Sequence, residues 1–216
     1  MTPKIHSVIF DYGYVLNLAP EASEFASLAA AAGIDAAVFA GAYWRHRAEY
    51  DRGTVDGSAY WQRVAASLGV QFSSAQIANL IARDTAIWMR LNPVMMEWVQ
   101  ELRKAGLKVA ILSNMPIEIG RHIRELCPWF GYFHHACFSA EVQLSKPDPA
   151  IYHCCLKALC AAPAESLFLD DRIENVEGAR AVGMHAIRFT SPAELLPELA
   201  PFHLPPLPES RLSTWG

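Results

Sequence analysis

The chain carries no basic surplus. Its 18 Lys and Arg stand against 22 Asp and Glu, a formal net charge of −4, which argues against a nucleic-acid partner, because a phosphate-tracking surface needs an excess of cations. Cysteine is sparse and badly arranged. Cys127, Cys137, Cys154, Cys155 and Cys160 are odd in number and include an adjacent pair, a poor disulfide framework. His153-Cys154-Cys155 has no C-x-x-C companion, so the thiols read as small buried groups rather than zinc ligands. A reducing, cytoplasmic setting is the expectation. Charge of either sign is also scarce, at 19% against 52% hydrophobic residues, which excludes global disorder and predicts a sizeable packed core.

Long uninterrupted apolar runs are missing too. Residues 25–44 come nearest, and Gly33 and Asp35 break them in the pattern of a helix stop followed by an N-cap. Two packed helices are predicted there, not a membrane span. Pro3, Lys4 and His6 interrupt any apolar segment at the start of the chain, so no signal peptide is expected. There are no internal repeats.

What is present is an alternation of short β-rich runs and helical segments. Residues 8–11, 109–113, 136–139, 167–170 and 186–189 read as strands rich in branched and aromatic residues. Pro93 suits the first turn of a helix, and Gly106 suits its end. Asp148-Pro149 repeats the start signal for a helix to about residue 159, and a further helix over 173–182 is closed by Gly183. Such alternation predicts an α/β fold with a Rossmann-like parallel sheet and right-handed crossovers. The first crossover is anomalous. About 80 residues separate the first strand from the helix at Pro93, where two to six are usual. Residues 17–92 are helical in spacing and predict a small helical-bundle cap inserted after the first strand. The core then comprises 1–16 and 93–216, with hinges at residues 17–19 and 91–92. Trp61, Trp88 and Trp98 fall in helical segments and are expected in the core. His134-His135 is expected to be structural, and the proline-rich tail from Pro201 to be an extended wrap or a mobile end.

Four strand ends carry reactive groups. The first gives Asp11 and the second Ser113-Asn114. Lys146-Pro147 follows the third, and Asp170-Asp171 ends the fourth, with Asn175 one helical turn on. Singly, each is ordinary turn or capping chemistry. Together they would face one crevice, because ligands of open parallel sheets bind beyond the carboxyl ends of the strands.

These stretches resemble the motifs of the haloacid dehalogenase superfamily. They are Val8-Ile9-Phe10-Asp11-Tyr12-Gly13-Tyr14-Val15-Leu16, Ile111-Leu112-Ser113-Asn114, Ser145-Lys146-Pro147-Asp148-Pro149 and Phe168-Leu169-Asp170-Asp171-Arg172-Ile173-Glu174-Asn175-Val176. The helical insert is similar to the small cap of the subclass that holds many small-molecule phosphatases and the dehalogenases. The resemblance implies that Asp11 attacks phosphorus and forms an aspartyl-phosphate. It implies Mg²⁺ held by Asp11, the Gly13 carbonyl and Asp171, with Asp170 and Asn175 completing the shell. Ser113 and the Asn114 amide would bind phosphoryl oxygens, and Lys146 would offset the accumulated negative charge. In the insert, Tyr43-Trp44-Arg45-His46-Arg47 and Tyr50-Asp51-Arg52-Gly53 admit two readings. Tyr43 and Arg47 line a substrate pocket, or the aromatics pack the bundle while Arg45 and Arg47 are solvated.

One residue of the pattern is missing. Gly13 stands where such enzymes usually carry a second Asp, the group that protonates the leaving group. Three functions stay open. The first is a Mg²⁺-dependent phosphatase of small phosphorylated metabolites, whose proton comes from elsewhere (Tyr14, His46 or Tyr50) or whose leaving group needs none. The second is a 2-haloacid dehalogenase, in which Asp11 displaces halide from carbon and neither metal nor acid is required. The third is a weakly active or non-catalytic relative that keeps the phosphate and metal site. A small-molecule partner is expected, with neither nucleic acid nor membrane.

Overall fold

The structure, a computed structural model, describes residues 4–208. Strand β1 (Ser7–Phe10) runs directly into a tight loop over Tyr12–Leu16, closed by Asn17 N donating to Tyr12 O at 3.0 Å. Five helices follow before the chain returns to the sheet: α1 (Ala22–Ala31), α2 (Ala36–Arg45), α3 (Arg47–Arg52), α4 (Gly57–Ser67) and α5 (Ser74–Ile87). The core then proceeds through α6 (Pro93–Lys104), β2 (Lys108–Ser113), α7 (Ile117–Leu126), β3 (His135–Phe138), α8 (Ser139–Val142), α9 (Pro149–Leu159), β4 (Ser166–Asp170), α10 (Ile173–Ala181), β5 (His185–Arg188) and α11 (Pro192–Leu199).

The five strands pair in parallel in the order β3-β2-β1-β4-β5. Order reverses at β1, whose neighbours are β2 and β4, and this switch point is where a doubly wound sheet opens a crevice. The strands are buried on both faces. Val8, Phe10, Val109, Ile111, Leu167 and Leu169 face one apolar cluster with α6, while Ile9, Ala110, Leu112 and Phe168 face a second with α9 and α10. Period-2 alternation thus feeds two helical layers from one sheet.

Local signals explain the helix boundaries. Asn92 caps Pro93–Lys104 by accepting from Met95 N at 3.3 Å. Asp148 caps Pro149–Leu159 through Ala150 N at 2.9 Å, and Ser73 with Gln76 forms a capping box on α5. Asp35 caps α2, and α1 and α2 meet at a bend of 86°. Among the described residues no single helix is long and apolar enough to cross a membrane, although this bent pair passes by length and composition taken together.

The two connections between insert and core lie side by side. Asn17 and Leu91 form an antiparallel bridge. Leu18 N donates to Arg90 O at 2.8 Å, and Asn92 N donates to Leu16 O at 2.9 Å. The tail packs back on the core: Trp98 Nε1 donates to Pro205 O at 2.8 Å and Leu207 is buried. His134 has a defined partner, since its Nδ1 accepts from Val109 N at 3.0 Å.

Candidate active site

Strand pairing alone brings the acids together. Phe10 and Leu169 are register partners, and Asp11 N donates to Leu169 O at 2.8 Å. The next residues on the two strands, Asp11 and Asp170, therefore leave the sheet as neighbours. Ligand oxygens of Asp11, Asp170 and Asp171 lie within 4.8 Å of one another. Lys146 sits between two of them, its Nζ 3.0 Å from Asp11 Oδ1 and 2.6 Å from Asp170 Oδ2.

The loop that carries Lys146 is fixed from the end of β2. The Asn114 side chain makes a two-point contact with the Lys146 backbone: Nδ2 donates to its carbonyl and Oδ1 accepts from its N–H, both at 2.9 Å. Asn114 thus positions the lysine with its side chain. Asp170 is fully buried and saturated. It accepts from Asn175 Nδ2 at 2.9 and 3.1 Å and from Arg172 N at 2.9 Å, besides Lys146. Asn175 accordingly braces an acid.

Burial dominates the electrostatics. Desolvation raises the Asp11 carboxyl, Lys146 pulls it down, and Asp170 pushes it up again, leaving it at about 7; the Ser113 hydroxyl beside it favours the charged form. Burial also opposes the Lys146 charge, but Asp11 and Asp170 more than offset this and hold its ammonium above the usual range. Asp171 is raised by burial and then by Asp170. Two buried carboxylates and a third, half-buried one beside a single lysine form a hard-oxygen donor set with surplus negative charge, which fits a divalent cation such as Mg²⁺. Asp11 and Asp171 would hold the ion, with Asp170 beside them.

A cavity of about 760 Å³ covers these groups. Its floor comprises Asp11, Gly13, Ser113, Asn114, Lys146, Asp171 and Asn175, and its roof includes Tyr14, Trp44, Arg47, Ala48, Arg52 and Trp88. The roof is pinned to the core through the α3–α4 region. Ser139 Oγ donates to Asp51 O while accepting from Met115 N. Arg52 Nε donates to Ser145 Oγ at 3.1 Å, and Gly57 N donates to Glu118 Oε1 at 3.1 Å. Gly53 has φ of 77°, and a Cβ there would meet the Ala140 carbonyl at 2.7 Å, so this close approach needs glycine.

The insert residues divide differently from both sequence readings. Tyr43 does not line the cavity. It is fully buried and its hydroxyl donates to Asp84 Oδ1 at 2.6 Å. Arg47 is at the cavity edge but is not solvated: it pairs with Asp51 at 2.7 Å and Asp84 at 3.1 Å and also donates to the Tyr43 hydroxyl. Both residues belong to one buried network, with Tyr43 behind the roof and Arg47 reaching its edge. Trp88 is buried as expected yet also lines the cavity. Of the three alternative proton donors, only Tyr14 reaches it. His46 Nε2 contacts Ser67 Oγ at 2.8 Å, and Tyr50 is stacked on Tyr60 inside the bundle. Asp84 escaped sequence reasoning although it had a signal. Ile77, Leu80, Asp84 and Ile87 form the buried stripe of α5, and an acid on an apolar stripe calls for a buried partner.

A doubly wound α/β sheet with an acid cluster at its switch point sets the class of fold, and comparison with known proteins names the family. The family model for haloacid dehalogenase-like hydrolase matches residues 15–183; the chain belongs to that family and is a hydrolase. It is 29% identical over 142 residues to a sesquiterpene phosphatase of Aspergillus oryzae, covering 66% of this chain and 71% of that one. Of several longer curated relatives the match spans only 11 to 24%. A HAD family enzyme of Bacteroides thetaiotaomicron, solved with magnesium and inorganic phosphate, superposes with a TM-score of 0.67 at 18% identity over 86% of this chain and 94% of that one. The L-2-haloacid dehalogenase of Xanthobacter autotrophicus gives 0.66 at 23% identity over 94% and 85%.

Proposed function

We propose that the chain is a Mg²⁺-dependent phosphomonoester hydrolase that works through an aspartyl-phosphate on Asp11, with residues 17–92 serving as its cap. The observation that carries this reading is the convergence of Asp11, Asp170 and Asp171 around Lys146. Displacement of halide from carbon needs one carboxylate and no metal, and leaves such a cluster without a task. The phosphatase among the relatives and the magnesium and phosphate of the Bacteroides enzyme support the same choice.

Asp11 supplies an oxygen to phosphorus while the bond from phosphorus to the leaving oxygen breaks. Water then attacks the acyl phosphate, releasing inorganic phosphate and restoring the carboxylate. Lys146 and the Ser113 hydroxyl balance the charge on the phosphoryl oxygens. Bound Mg²⁺ supplies Lewis-acid polarisation and charge neutralisation. The departing alkoxide needs a proton, and Tyr14, which lines the cavity, is our candidate donor. Burial, and then Asp171, raise its phenol above the ordinary range, so it is protonated at neutral pH, as any phenol is, and is a weaker acid than a free one.

A panel of phosphomonoesters and 2-chloro acids, assayed with and without Mg²⁺ and with Asp11→Asn as blank, tests the reading. Mg²⁺-dependent phosphate release that vanishes in Asp11→Asn is expected. Metal-independent halide release would transfer the site to dehalogenation, and Mg²⁺ binding with no turnover on any ester would make the chain a non-catalytic binder.

A further inference from the structure

The cavity is two-ended. Its floor is ionic, whereas its roof presents three aromatic rings. Tyr14 and Trp44 are 42% and 50% exposed, and both are among the few large hydrophobic side chains that the described surface leaves open. Trp88 joins them: the Tyr14 ring meets it edge-on at 5.9 Å and the Trp44 ring at 6.4 Å. The wall is held in place by its neighbours. Trp44 also packs edge-on against buried Tyr43 at 4.8 Å. Tyr14 adopts φ of 60°, a costly conformation for a tyrosine, with its N–H donating to Asn17 Oδ1 at 2.7 Å.

Most polar groups of the roof have partners within the protein, and Arg52, which has no carboxylate partner among the described residues, is the exception. Arg47 is taken by Asp51 and Asp84, whereas Arg52 Nε donates to the neutral Ser145 Oγ. Glu49 pairs with Arg63, and Thr54 Oγ1 donates to Glu49 O at 3.0 Å. Ala48, Met115 and Ile119 add further apolar lining. A substrate rich in hydroxyls would meet few free partners here, whereas a hydrocarbon would be removed from water against the rings.

Resting on the phosphatase reading, we propose that the substrates are phosphate monoesters of apolar alcohols, with the hydrocarbon lying on the wall formed by Tyr14, Trp44 and Trp88. The phosphoryl group sits at the floor, and the ester oxygen points to the roof.

The test is kcat/KM, with Mg²⁺, for n-alkyl phosphates from butyl to octyl, for glycerol phosphate and glucose 6-phosphate, and for acetyl phosphate as a reference that barely reaches the wall. The alkyl esters share one leaving-group chemistry, so chain length reports burial. A rise of about fourfold per methylene is expected until the wall is covered, from roughly 0.8 kcal/mol per buried methylene. Trp44→Ala is expected to cut the octyl-to-acetyl ratio about tenfold, with Trp44→Phe recovering part of it. A flat chain-length series, sugar phosphates that match octyl phosphate, or an unchanged ratio in Trp44→Ala would overturn the substrate class. Acetyl phosphate turnover alongside any of these would leave the phosphatase reading standing. No phosphate release from any compound would remove both.

Discussion

The floor of the cavity and its roof are made of opposite materials. The floor is a set of buried charges delivered by backbone topology: Asp11 and Asp170 leave adjacent strands, and Lys146 bridges them. The roof is a set of rings held by helix packing, with the Arg47 guanidinium tied to Asp51 and Asp84 from behind. The difference teaches that reactivity and selectivity have separate structural sources here. Changes at the floor should abolish chemistry whatever the substrate, and changes at the roof should alter which ester reacts.

The largest effect should come from the floor. Asp11→Asn is expected to lower kcat by on the order of 10⁴-fold or more, as removal of a nucleophile commonly does, for every ester alike. A loss confined to some substrates would blur the division between the two ends.

Behind the roof, Asp84→Ala strips a buried guanidinium of a partner. Breaking such a pair costs about 3 kcal/mol, which in a chain of this size lowers Tm by roughly 6–12 °C. Calorimetry that finds Tm unchanged would mean that Asp51 alone suffices for Arg47.

Two substitutions probe the junction of floor and roof. Tyr14→Phe keeps the ring but removes the proton, and should slow alkyl phosphates by about 10²-fold, the low end of general acid contributions, while acetyl phosphate, with its better leaving group, slows far less. Equal slowing of both would reassign Tyr14 to the wall alone. Gly13→Asp should act in the other direction. A Cβ at Gly13 meets no atom within 4 Å, and φ there is −60°, so an acid can be accommodated. Turnover of alkyl phosphates should rise about tenfold relative to acetyl phosphate. An equal or absent change would show that the missing acid does not limit the reaction.

The floor was legible in the sequence because strand ends are read locally. Each of Asp11, Ser113, Lys146 and Asp170 follows or ends a recognisable β-run, and the parallel order gathers them. The five strands were located to within a residue or so at each end for the same reason: short branched runs bounded by helix signals. The roof was less legible. Tyr43, Trp44 and Arg47 lie within five residues on consecutive helical turns, and their fates diverge with helix rotation. Tyr43 turns into the bundle, Trp44 into the cavity, and Arg47 towards an acid 37 residues away. Helical spacing alone does not fix which face meets which neighbour. Ser139 and Arg52, which tie the roof to the core, had no local signal at all, since their partners come from the other segment.

The central claim is that the floor performs phosphoryl transfer on Asp11. Rapid acid quench of the Mg²⁺-loaded enzyme with excess substrate, followed by peptide mass spectrometry, tests it directly. The account predicts one added phosphoryl group on the peptide containing Asp11, lost after hydroxylamine treatment and absent in Asp11→Asn. Phosphate release at the normal rate with no phosphopeptide, or with the phosphoryl group on another residue, would contradict it.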